Sequence, residues 1–135
     1  MNKRFFGFYS LLLFMFSVCF IPACKKEKCK AGAGGNLSLR LYMKHHQKAI
    51  PGCTVRIKYG AQDFPGANGS YDATITAGSA DTSVTFSGLY CGDYYIYGTG
   101  IDSSLTSTDK SVSGGIPYST SQENGTIELV LPITE

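Results

Sequence analysis

The chain has 135 residues, with 12 basic and 10 acidic side chains, a formal net charge of +2, 16 glycines, 9 tyrosines and no tryptophan. Lys3 and Arg4 precede an uncharged run, and beyond residue 35 six basic side chains stand against nine acidic ones. That mildly acidic body of 100 residues fits one domain and excludes the basic face that nucleic-acid binding needs.

Met1-Asn2-Lys3-Arg4 is a short basic start, and residues 5–23 carry no charge. With the small residue Ala23 at the end, these are the parts of a signal peptide. The run approaches the length of a membrane span, about 20 residues, but Pro22 and the cysteine directly after Ala23 favour cleavage. Ile21-Pro22-Ala23-Cys24 resembles the lipobox of bacterial lipoproteins. The resemblance implies a diacylglycerol and an amide-linked acyl chain such as palmitate on Cys24. The protein is then expected in the cell envelope, held to a membrane, with the outer membrane favoured. Several acyl chains give stable attachment at about 0.8 kcal/mol per buried CH₂. Residues 24–35 read as a tether: Lys25, Lys26, Lys28 and Lys30 with Glu27, then a Gly/Ala run expected to be flexible. The lysines either lie against anionic head groups, at about 1 kcal/mol each, or are a solvated spacer.

The body reads as short strands. Leu37, Leu39, Leu41 and Met43 alternate with polar residues, the period-two mark of a half-buried strand. Ile50-Pro51-Gly52 is a turn, and Cys53, Val55, Ile57 and Tyr59 alternate as a second strand. A loop over 60–70 leads to a weaker strand with Tyr71, Ala73 and Ile75. Val84 and Phe86 mark a fourth, and Tyr94-Tyr95-Ile96-Tyr97 the strongest. Residues 106–113 are expected as a sixth, and Ile127, Leu129 and Leu131 as the last. About seven strands separated by turns predict an all-β, antiparallel sandwich over residues 36–135.

Of five cysteines, Cys19 leaves with the signal and Cys24 takes lipid. Cys29 lies in the tether and reads as free or exchangeable. Cys53 and Cys91 lie inside the body and are the expected disulfide of an exported protein; the alternative is two separate buried thiols.

Residues 86–96, from Phe86-Ser87-Gly88-Leu89 through Gly92-Asp93-Tyr94, resemble the F-x-x-L-x-x-G-x-Y signature of prealbumin-like domains. Carboxypeptidase regulatory-like and Cna-B-like modules belong to this group. Ile50-Pro51-Gly52-Cys53-Thr54-Val55 resembles their strand opening. Together with the lipobox, the chain is similar to small lipoproteins of Bacteroidetes that carry one such domain. The signature places Phe86 and Leu89 in the core, gives Gly92 a positive φ, and makes Tyr94 the tyrosine of a corner.

No calcium-loop string and no nucleophile elbow is present. His45-His46 reads as a solvated strand end, because neighbours on a strand point to opposite faces, and no metal or cofactor is expected. With Tyr94 inward, Tyr95 and Tyr97 point out; Arg40 and Tyr42 point out by the same parity. These four are the candidate interaction face, since tyrosine suits binding surfaces. The expected function is a non-enzymatic, lipid-anchored module with a structural or protein-interaction role. The alternative is a carbohydrate- or peptide-binding accessory protein, so an envelope protein or a glycan is the expected partner, and nucleic acid is not.

Overall fold

The computed structural model describes residues 29–135; the expected export segment, Cys24 and the lysines before Cys29 lie outside the described residues. Eight strands form two sheets. They are β1 (Ala33–His45), β2 (Lys48–Ala49), β3 (Thr54–Tyr59), β4 (Ala73–Thr76), β5 (Ser83–Leu89), β6 (Gly92–Ile101), β7 (Ser111–Thr120) and β8 (Asn124–Pro132). In the first sheet β1 pairs with β2, β5 and β8; the second runs β4-β3-β6-β7. The expected all-β sandwich is what forms. Every pairing is antiparallel except β1 with β8, which is parallel over Asn36–Lys44 and Asn124–Pro132.

The alternation read from the sequence becomes the core. Leu37, Leu39, Leu41 and Met43 of β1 meet Val55 and Ile57 of β3, Tyr94 and Ile96 of β6, and Phe86 of β5. Each such side chain contributes about 1.5–3 kcal/mol when fully buried. The corner forms as the signature implies: Phe86 and Leu89 are buried, and the Tyr94 hydroxyl donates to the Tyr90 carbonyl. Gly92 has φ +140°, and a Cβ there would stand 2.3 Å from the Ala31 nitrogen.

Two boundaries differ from the sequence reading. The sixth strand lies at Ser111–Thr120, not 106–113. Gly114, Gly115 and Pro117 weakened the strand signal, but β7 is an edge strand that pairs with β6 and, at Ser113 only, bridges Thr134, and at an edge proline is tolerated. Gly114 opposes Gly98, and a Cβ on either would strike the end of β8, at the Pro132 carbonyl or the Leu131 side chain. The glycines are there so that β8 can close over the second sheet.

The tether also ends earlier than expected. The strand begins at Ala33, the Tyr90 amide donates to the Gly32 carbonyl at 2.9 Å, and Cys29 is bonded to Cys91. The small side chains of this run allow close packing against the β5–β6 corner rather than free motion.

The expected Cys53–Cys91 disulfide is corrected: Cys91 pairs with Cys29, and Cys53 is a buried free thiol. The reason is register. β3 and β6 are antiparallel with Thr54 opposite Thr99 and Tyr59 opposite Tyr94. Cys53 therefore sits beside Gly100, whose Cβ position lies 2.5 Å from its Sγ, while Cys91 precedes the other end of β6. Roughly 30 Å of strand separates them, far beyond the ~7 Å Cα limit for a bridge.

Burial pushes the Cys53 thiol up to about 11 from 9.0. A group whose pKa is raised on folding adds stability below its unfolded value, and that stability is lost as pH rises through the folded one. Between pH 9 and 11 this residue alone should remove roughly 2–3 kcal/mol. Cys53→Ala should flatten that alkaline loss in denaturant unfolding, and the wild-type thiol should resist iodoacetamide until the protein unfolds.

Candidate functional site

Strand parity builds a polar pair at the end of the sandwich away from the disulfide. The inward row of β1 is Leu37, Leu39, Leu41, Met43 and then His45; that of β6 is Tyr94, Ile96, Gly98, Gly100, and one step beyond the strand, Asp102. Both rows end in the same layer, so His45 and Asp102 meet with 2% and 3% exposure. His45 Nδ1 lies 2.9 Å from Asp102 Oδ2. The other carboxylate oxygen accepts from the Ser104 amide at 2.9 Å and the Ser104 hydroxyl at 2.6 Å, with Lys48 Nζ at 3.5 Å. The His45 hydrogen bond first, then those of Ser104, hold the Asp102 carboxyl well below the usual range despite its burial.

The expectation of a solvated histidine pair thus fails for His45. It holds for His46, whose side chain is 80% exposed. The two do not point to opposite faces, because the strand ends between them. His46 and Gln47 form a two-residue turn with φ 45° and 68°, the positive-φ hairpin geometry that matches strand twist. The turn brings the rings to 4.2 Å, centroid to centroid.

His45 Nε2 is buried and has no hydrogen-bond partner among the described residues. It faces Glu135, whose Oε1 lies 3.8 Å from it and 4.0 Å from His46 Nε2. One ligand atom from each of His45, His46 and Glu135 lies within 4.8 Å of the others. Imidazole nitrogens and a carboxylate can hold a proton or a borderline transition-metal ion. Cys29, Cys91 and Glu123 also cluster, but both sulfurs are spent in the disulfide. Continuing the β1 parity two residues past Met43 would have found His45. Nothing local marks Asp102 or Glu135.

The four candidate face residues do not form one face. Arg40 and Tyr42 lie on the outside of the first sheet, both reaching Glu128 Oε1, at 3.5 and 3.2 Å. Tyr95 and Tyr97 lie on the outside of the second, across the sandwich. Their parity is as expected, but Tyr97 is only 7% exposed. Phe64 and Tyr71, brought over by the loop between β3 and β4, pack on it with ring centroids at 5.0 and 6.1 Å. Phe64 also meets Tyr95 at 5.7 Å and remains 50% exposed. Sequence parity assigns a side of the sheet, not what a distant loop lays over it.

Comparison with known proteins adds no relative: no family model, no curated protein and no solved structure matches the chain.

Proposed function

We propose that this is a lipid-anchored, non-enzymatic module of the bacterial cell envelope, with a prealbumin-like sandwich that works by holding a surface close to a membrane. The observation that carries the reading is the Cys29–Cys91 disulfide. It fixes the body five residues after Cys24, so the leash from a lipid on Cys24 spans at most about 17 Å. Lys25, Lys26, Lys28 and Lys30 lie in or beside that leash, where each adds about 1 kcal/mol near an anionic surface. A disulfide also suits an exported protein. The open nitrogen of His45 faces a carboxylate rather than a hydroxyl or thiol, which supports a role without nucleophilic catalysis.

Cys24→Ala is expected to leave uncleaved precursor that takes up no labelled fatty acid. Lipidation and processing of this variant at the wild-type level would remove the anchor from the reading.

A second reading, binding of a carbohydrate or peptide, is favoured by the Phe64, Tyr71, Tyr95 and Tyr97 cluster beside Arg56. Photocrosslinking from position 64 in the native envelope separates the two. A protein adduct supports the interaction module, whereas polysaccharide retention lost in Phe64→Ala supports the accessory role.

A further inference from the structure

We infer that His45, His46 and Glu135 form a binding site for one divalent transition-metal ion of the zinc class, with Asp102 orienting the buried ligand. His45 is the fixed member. An ionised Asp102 can only accept, so in the neutral form of the His45 ring the proton is held on Nδ1 and Nε2 offers a lone pair. Nε2 is buried, unpartnered among the described residues, and faces the Glu135 carboxylate. With that ring neutral, Nε2 and the carboxylate are two acceptors facing one another across 3.8 Å, a gap too long for a hydrogen bond. A cation between them satisfies both. The arrangement of carboxylate, histidine and open nitrogen is the one that fixes tautomer and raises ligand basicity at metal centres.

The other two ligands are free to adjust. His46 is 80% exposed and Glu135 58% exposed, one in a tight turn and one after β8. Ligand atoms around a tetrahedral zinc stand ~3.3 Å apart, so closure from within 4.8 Å needs a shift of about an ångström in exposed side chains. Two imidazoles and one carboxylate disfavour calcium and magnesium, which take oxygen ligands, and suit zinc, nickel or copper. Three protein ligands leave a fourth position for water or an outside donor. The ion would also tie the segment after β8 to the β1–β2 hairpin, at the end of the sandwich farthest from Cys29.

The test uses the full chain in detergent, stripped with chelator and dialysed against buffered micromolar zinc. Wild type should retain one zinc per chain and unfold at a higher temperature with zinc than without. His46→Ala and Glu135→Gln alter exposed side chains and should fold normally in zinc-free buffer. Each should weaken zinc binding at least tenfold, and the double variant should lose both the bound zinc and the thermal shift. Asp102→Asn should keep the stoichiometry at high zinc but bind about 10–100-fold more weakly. Wild type that holds no zinc, or either single variant that holds it undiminished, would overturn the assignment.

Discussion

Cys29→Ser is expected to destabilise the protein by about 4 kcal/mol, the chain-entropy value for closing a separation of 62 residues. Cys91→Ser should lose the same amount, since either change opens the same loop. Denaturant unfolding with and without reductant is the measurement. Wild type should fall to the level of the two serine variants when reduced, and the variants should not respond. Cys53→Ala should behave oppositely. Among the described residues its thiol bonds only the Ile50 carbonyl, at 3.4 Å, so this variant should retain the full response to reductant. A Cys29→Ser protein that still lost stability on reduction would show that another pair carries the bridge. Without the bridge, the segment before β1 also loses its covalent tie to the β5–β6 corner.

The second large effect is at Tyr94. Its side chain is fully buried, with its ring edge-on to Tyr59 at 5.8 Å and its hydroxyl bonded to Tyr90. Tyr94→Ser removes an aromatic from a closed core, which costs about 3–5 kcal/mol for truncations of this size. It also removes the hydroxyl that donates to the Tyr90 carbonyl. Tyr94→Phe keeps the ring and should cost only about 1 kcal/mol, the value of the lost hydrogen bond. On the same strand Tyr95→Ser should cost much less than Tyr94→Ser, because the ring lies outside the core, on the outer side of the sheet against Phe64. Tyr97→Ser should fall between, since it removes the platform under Phe64 and Tyr71. Melting temperatures of the four variants check the order. If Tyr95→Ser unfolded as badly as Tyr94→Ser, the facing of β6 would be inverted.

The sequence by itself determined the sandwich, most of its strands and which side chains fill it. Those follow from a local rule: on a strand the side-chain period is two, so Leu37 to Met43 and Tyr94 to Ile96 name their own inner faces. The corner was equally legible, because Phe86, Leu89, Gly92 and Tyr94 act within nine residues of chain. The tertiary structure alone decided the rest, because those features depend on register between strands distant in sequence. The pairing of β3 with β6 sets Cys53 beside Gly100 and so gives Cys91 to Cys29. The meeting of the far ends of β1 and β6 brings His45 to Asp102 across 57 positions of chain. The parallel run of β8 along β1 then delivers Glu135 to the same place. No local pattern encodes such meetings, since each is the outcome of packing two whole sheets at once.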